Sequence, residues 1–321
     1  MHPQIVVAPA VSQIALESYQ LPKVGPTQVL LETRISAISP GTELAWLHHK
    51  PDTPGKYPYY PGYSACSVII EKGDAVTDLE VGQRVASRTS HASHAVVEAE
   101  ACFPVPDTVS DQDAAVFGLV AIVLQGVRKA QIQLGWRVAI LGLGPIGNLA
   151  GQISRAAGAT QVLGIDPIDW RQEIARRSNF DAVTTPAEAE AYLSSFEAVI
   201  EATGVPEAVP TSFQLASRLG HVILLASTRG ETENVNFYRD VHKKGLMIMG
   251  AHESIRPSVD DHGFYASRDS DHRTALALMA AKRIDVSPLV SDIVMPNDAA
   301  QAYERLTNRE KGVMLIAFNW T

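Results

Sequence analysis

Residues Arg137 to Ala159, RVAILGLGPIGNLAGQISRAAGA, decide how this chain is read. An apolar run from Val138 to Leu141 meets glycines at 142, 144 and 147 in G-x-G-x-x-G spacing. Beyond them Ile146, Leu149, Ala150, Ile153 and Ala157 fall on one face of a helix that Gly158 can end. Strand, tight turn and helix in that order form a dinucleotide-binding arrangement. Gly142 permits the turn, Gly144 lets the backbone approach a pyrophosphate, and Gly147 lets helix and strand pack closely. The phosphates would sit on the helix N-terminus, where Pro145 and Ile146 begin the first turn.

Outward from this stretch the pattern repeats. QVLGIDP, DAVTT, FEAVIEATG, HVILLAS and GLMIMGA are apolar strands separated by helical stretches, which predicts an α/β domain with a doubly wound parallel sheet over 121–250. Nineteen residues after Gly147, at the end of QVLGID, Asp166 can accept hydrogen bonds from an adenosine ribose and would repel a 2′-phosphate, so NAD is the expected cofactor. Arg171 either offers such a phosphate a cation, packs on the adenine, or is a solvated helix residue. Thr203 in EATG and Ala226 in HVILLAS are further candidates to contact the cofactor.

Residues 1–120 have a different texture, with short β-branched runs (QVLLETRI, SACSVIIEKG, GQRVASR, SHAVVEA) broken by Gly, Pro and Asp, as in a compact β-rich domain. Residues 251–321 open with a His- and Asp-rich segment, HESIRPSVDDHGFYASRDSDH, then predict a helix near 272–283 and a final strand in KGVMLIAFNW. With 321 residues, of which 46% are hydrophobic, the chain can fill two moderate cores. A net charge of −8 without basic runs argues against nucleic acid or an anionic membrane surface as partner, and a small molecule is the expected one. The N-terminal stretch lacks the basic and apolar regions of a leader and no run is long enough to span a bilayer, so a cytoplasmic protein is expected. Cys66 and Cys102 make no disulfide framework and no closely spaced metal-binding pair.

Several motifs, in order, resemble the medium-chain dehydrogenase/reductase superfamily, in particular its alcohol, polyol and threonine dehydrogenase-like branch. ISAISPGTELAWL resembles its Gly-Ile-Cys-Gly-Thr-Asp segment, PGYSACSVIIEKGDAVTDLEVGQRV its segment from Gly-His-Glu to Gly-Asp-Arg-Val, and SHASHAVVEAEACFPVPDTVSDQDAAV the lead into the nucleotide domain. EATG and RDVHKKGLMIMGAH complete the order. The resemblance implies a GroES-like substrate domain built from 1–120 and 251–321 around a Rossmann domain, with the active cleft between them. It also implies a homodimer, because NVNFYRDVHKKG resembles the stretch through which family dimers extend a sheet across subunits.

This chain departs from the pattern at the metal. A catalytic zinc in this family needs three protein ligands and an open position. The matching positions here hold Pro40, Tyr63 and Leu119, Ser64 stands where the neighbouring Glu would be, and the four-cysteine structural zinc lobe is missing. Negative charge that develops on a carbonyl oxygen then needs a positioned proton donor. Tyr63 is the first candidate, since a phenol with a pKa of about 10 donates well in reduction. Thr42, which matches the family hydroxyl that contacts the substrate oxygen, is the second; the family's relay histidine is here Ala45. Each has a plainer role as well: Tyr63 as filler of the vacated metal position, Thr42 as helix N-cap for ELAWL, and Glu43 as a first-turn carboxylate. Glu43 can also tune Tyr63, and Trp46, His91, Ser64 and Glu43 are expected to line the substrate pocket. Tyr57, Tyr59 and Tyr60 stack on a planar or sugar ring or simply pack, and His48, His49 and His94 are surface or hydrogen-bonded structural residues.

The expected activity is therefore zinc-independent, NAD-dependent interconversion of a secondary alcohol and a ketone on a sugar-like or multi-ring substrate. Reduction of an activated C=C bond, for which a metal is dispensable, is the alternative; a non-catalytic dinucleotide-binding protein is the second.

Overall fold

The structure, a computed structural model, describes residues 2–257 and 266–321; the middle of the His- and Asp-rich segment, 258–265, lies outside the described residues. Two compact units emerge: one from Met1–Leu119, His272–Ala280 and Leu289–Thr321, the other from Val120–Asp271 and Ala281–Pro288.

In the first unit the strands run β1 (Gln4–Val7), β2 (Ala15–Ser18), β3 (Gln28–Ala37), β4 (Ala65–Lys72), β5 (Arg84–Ser87), β6 (His94–Glu98) and β7 (Cys102–Pro104), with helix α1 (Pro40–Leu47) after β3 and α2 (Asp111–Ala114) after β7. The long strand β3 organises this unit. One edge pairs with β4, while the other is shared: its first half pairs with β6, from Gln28 opposite Glu98 to Glu32 opposite His94, and its end pairs with the C-terminal strand Leu315–Asn319. Shifts of register at Leu30/Leu31 and Thr33/Ile35 mark β3 as irregular, which bends the sheet. Among the described residues, apolar groups on this unit include Val29, Leu31, Ile69, Val76, Leu79 and Val85 as one, and Val6, Ile38, Leu47, Tyr303, Ile316 and Phe318 as another, which joins α1 to the C-terminal segment.

The second unit begins in α3 (Phe117–Ala130) and continues as β8 (Arg137–Leu141), α4 (Pro145–Ala156), β9 (Gln161–Ile165), α5 (Asp169–Arg177), β10 (Ala182–Thr184), β11 (Phe196–Glu201), α6 (Val209–Leu215), β12 (Ala216–Leu224) and β13 (Met247–Gly250). All six strands are parallel, in the order β10-β9-β8-β11-β12-β13. Each corresponds to one of the six apolar runs read from the sequence. The order reverses between β8 and β11, so the crevice at their C-terminal ends is the topological switch point, where open α/β sheets bind ligands. The fold is thus α/β, with a doubly wound parallel sheet and a separate β-rich unit.

The second boundary differs from the one the sequence suggests. Described residues after Gly250 and up to Asp271 cluster with the parallel-sheet unit, not with the β-rich one. The cause is a polar clamp: Gln125 donates to Ala251 O at 3.0 Å, Lys129 to Gly250 O at 2.7 Å, and Arg256 to Asp271 at 2.6 Å, with Arg128 on the other oxygen at 2.9 Å. In the C-terminal part, α7 (Arg268–Ala280) is followed by β14 (Val290–Val294), α8 (Ala299–Thr307) and β15 (Leu315–Asn319). Among the described residues no helix is long and apolar enough to cross a membrane.

Candidate dinucleotide and proton-donor sites

The three glycines of the opening stretch meet three different requirements. Gly142 ends β8 at φ +85°, and a Cβ there would lie 2.9 Å from Thr203 Cα, so the turn is both left-handed and pressed against the loop that follows β11. A Cβ on Gly147 would lie 1.7 Å from Gly142 O, which ties the helix to the turn. A Cβ on Gly144 would meet nothing within 4 Å, leaving an open face beside the first turn of α4. Gly144 is the N-cap, Pro145 has no N–H to lose, and the first intrahelical bond runs from Asn148 N to Gly144 O at 2.9 Å. The N–H groups of Ile146 and Gly147 are therefore left for a ligand, as phosphate cradles require. These residues fit a dinucleotide.

Asp166 is only 3% exposed; its oxygens accept from Leu143 N at 2.8 Å and Ile168 N at 2.9 Å. The carboxylate thus ties the end of β9 to the glycine turn. Arg171 Nη1 stands 3.8 Å from Asp166 Oδ2, and its guanidinium lies 5.3 Å over the Trp170 ring. Thr203 and Ala226 come together through a residue the sequence reading missed. Buried Glu201 accepts from Thr203 N at 2.7 Å, from the Thr203 hydroxyl, and from the Thr228 hydroxyl at 3.1 Å, while Ala226 N donates to Glu201 O at 3.1 Å. A charged residue closing the apolar run FEAVIE was the available signal.

In the β-rich unit, Ser39 is the N-cap of α1 and Pro40 its first residue; Thr42, half-buried, is three residues past the cap. The cap is unusual. Glu43, completely buried, reaches back so that Oε1 accepts from Ser39 N at 2.7 Å. Its other oxygen accepts from the Tyr303 hydroxyl and lies 3.1 Å from His91 Nε2. The opposite ring nitrogen of His91 is 2.8 Å from Ser36 Oγ, and Ser36 Oγ accepts from the Trp320 indole at 2.9 Å. Burial first, and then the Glu43 charge, push the Tyr303 phenol well above its usual range. His91 and Glu43 are both buried at 0% exposure, inside this network and not on a surface.

Tyr63 is half-buried and donates its hydroxyl to Ser39 Oγ at 2.5 Å, while the Arg88 guanidinium lies 5.0 Å over its ring. Ser64, buried at 0% exposure, donates to Ala115 O at 2.6 Å and accepts from Gly118 N at 3.0 Å, so it fixes the chain after Tyr63 to the start of α3. Trp46 packs on Tyr59 with ring centroids 5.0 Å apart, Tyr57 caps the end of α1 by donating to Trp46 O at 2.8 Å, and Tyr60 is exposed. His48 bridges Ser12 and Thr307, and His94 bonds to Ser93. Leu119 is buried and apolar. Among the described residues no group of three or more His, Cys, Asp or Glu side chains is placed to hold a metal ion, and Pro40, Tyr63 and Leu119 do not fit a zinc. Cys66 and Cys102 are free and buried; burial pushes the Cys102 thiol up to about 12.

Comparison with known proteins agrees with this fold. Residues 145–259 match the family described as zinc-binding dehydrogenase. Sorbitol dehydrogenase of Gallus gallus is 26% identical over 353 residues, covering 97% of this chain and 95% of that protein. A Sinorhizobium meliloti protein described as a zinc-binding dehydrogenase, solved with NADP, superposes with a TM-score of 0.84 at 23% identity, covering 99% of both chains. An Escherichia coli CFT073 alcohol dehydrogenase complexed with NADH gives a TM-score of 0.85 at 18% identity, also covering 99% of both.

Proposed function

We propose that this chain, which belongs to the medium-chain dehydrogenase/reductase superfamily, interconverts a secondary alcohol and a ketone on a polyol-like or sugar-like substrate, with Tyr63 supplying the proton that a metal site would otherwise manage. A nicotinamide dinucleotide, when bound, donates or accepts the hydride. Gly142, Gly144 and Gly147 shape its phosphate cradle, the N–H groups at the start of α4 receive the charge, and Asp166 selects NAD by facing the adenosine ribose.

The observation that carries the reading is the Tyr63 phenol hydrogen-bonded to Ser39 and overlain by Arg88, in the segment that resembles the family's Gly-His-Glu motif. Tyr63 holds a proton that can pass to a developing alkoxide, and Thr42 offers a second hydroxyl to the same oxygen. Buried Glu43, His91 and Ser64 do not touch substrate in this reading. They position the α1 cap and the chain that carries Tyr63. Reduction of an activated C=C bond is the competing chemistry, and a panel of ketones and enones separates the two. The family's two-fold assembly through the edge of the parallel sheet is part of the same proposal.

Tyr63→Phe tests it, because the ring stays and only the hydroxyl goes. General acid assistance contributes roughly 10²- to 10⁴-fold. We expect kcat to fall by about that factor while dinucleotide affinity and Tm hold; Thr42→Val should lose less, and the double variant little more than Tyr63→Phe alone. Retention of more than about a third of the activity by Tyr63→Phe, or stoichiometric zinc lost together with activity on chelation, overturns the proposal.

A further inference from the structure

We infer that Ser39 and Arg88 are the residues that stabilise the phenolate left on Tyr63 when its proton goes to the substrate oxygen; this rests on the reading of Tyr63 as donor. In the reductive direction the hydride, with its electron pair, comes from the reduced dinucleotide and forms a C–H bond at the carbonyl carbon. The Tyr63 O–H bond breaks as the substrate O–H bond forms. Negative charge then rests on the Tyr63 oxygen until water supplies a replacement proton.

Both groups are already placed for that charge. Ser39 Oγ is 2.5 Å from the phenol oxygen and accepts from it now; a serine hydroxyl can turn and donate once the oxygen is charged. A hydrogen bond to an ionised acceptor is about twice as strong as a neutral one, so the contact strengthens as the proton leaves. Ser39 does not have to move, because it is 5% exposed and its N–H is held by Glu43, itself held by His91 and Tyr303. Only the hydroxyl proton has to turn, so the charge meets a donor with little reorganisation. Arg88 adds a cation 5.0 Å over the ring, which is attracted to a phenol face and more strongly to a phenolate.

Among the described residues, Tyr59 lies within electrostatic reach of Tyr63, and Glu43 holds the N–H of the same Ser39 to which Tyr63 donates. Glu43 opposes a second negative charge, but its oxygens are occupied by Ser39 N, Tyr303 and His91. Burial first, then Glu43, push the Tyr59 and Tyr303 phenols far above the ordinary range, and the Tyr63 charge adds to the effect on Tyr59. Those two stay protonated; Tyr63 differs in having a guanidinium over its ring and a hydroxyl partner at its oxygen.

The test titrates the protein without cofactor, following tyrosinate by ultraviolet difference absorbance and taking the signal missing from Tyr63→Phe as that of Tyr63. Arg88→Gln and Ser39→Ala are each expected to raise the Tyr63 midpoint by about one pH unit, a tenfold gain in proton affinity, and to lower kcat about tenfold. Arg88→Lys and Ser39→Thr, which keep the charge and the hydroxyl, should restore both values to within a few tenths of a unit and about twofold. Their rescue also excludes a folding defect as the cause. A Tyr63 midpoint unmoved in both Arg88→Gln and Ser39→Ala overturns the inference whatever the activities are. Moved midpoints alongside a fully active Tyr63→Phe would leave the stabilisation standing and refute the donor role, so the two failures are told apart.

Discussion

Gly144 and Gly147 separate binding from folding at the level of a single methyl group. Alanine at 147 would place Cβ 1.7 Å from Gly142 O, a backbone atom that cannot move without opening the turn. Gly147→Ala should therefore cost about 3 kcal/mol or more in stability, at the upper end for overpacking. At 144 the same methyl group meets no protein atom within 4 Å. Gly144→Ala should keep Tm within about 2 °C of the parent yet weaken dinucleotide binding at least tenfold, because in the proposed site the space it fills is that of the pyrophosphate. Calorimetric unfolding and fluorescence titration with NADH measure the two quantities separately. A Gly144→Ala variant that binds normally would mean the phosphates lie elsewhere.

Between elements, the informative contacts are those that tie one segment's end to another's. Asp166 joins β9 to the glycine turn through Leu143 N and stands 3.8 Å from Arg171, so a 2′-phosphate would meet a carboxylate and a guanidinium side by side. The carboxylate is the nearer to the turn, and NAD(H) is expected to bind at least about tenfold more tightly than NADP(H), or about 1.4 kcal/mol. Asp166→Asn keeps an acceptor for Leu143 N–H, removes the charge and should narrow the gap. Equal affinities in the unmodified protein would show that Arg171 dominates. His48 plays the comparable part in the β-rich unit, where it caps α1 with Ser12 Oγ at 2.8 Å and Thr307 Oγ1 at 2.9 Å from its two nitrogens. Burial, then Lys50, hold its pKa below the usual imidazole value; burial does the same to His94. A base depressed in the folded state lets the unfolded chain bind protons first. Its contribution is complete above about pH 6.5 and is lost as pH falls through the folded value. Tm should thus fall by a few degrees between about pH 7 and pH 5, and His48→Gln should flatten part of that slope. An unchanged slope in His48→Gln would assign the acid loss to other groups.

For the whole molecule, legibility followed the range over which each feature is encoded. The parallel sheet was readable because its strands, glycine spacing and first helix lie within short windows of regular period. The surroundings of Tyr63 were not, since Ser39, Arg88 and Tyr303 reach the site from separate segments, Tyr303 joining Glu43 across 260 residues, and no local pattern announces a contact of that kind. The clamp that follows Gly250 is not legible locally for the same reason: Arg256 and Asp271 look like loop polarity until Arg128 is seen beside them. The proposed two-fold assembly brings the long-range case to a test. β13 pairs with β12 on one side only among the described residues, Met247 on it is 49% exposed, and Phe237 and Tyr238 in the preceding turn are each 64% exposed. An apolar, one-sided edge strand is a template for pairing with another chain. Sedimentation at micromolar concentration should give a particle of twice the 34.6 kDa chain mass. Tyr238→Lys combined with Met247→Lys sets like charges against each other across a two-fold contact and should weaken association at least tenfold. Because β11 and β12 separate this edge from the glycine turn after β8, the double variant should bind NADH as the parent does. A parent protein that sediments as a monomer would remove the assembly from the proposal, and a double variant that stays dimeric would place the contact on another face.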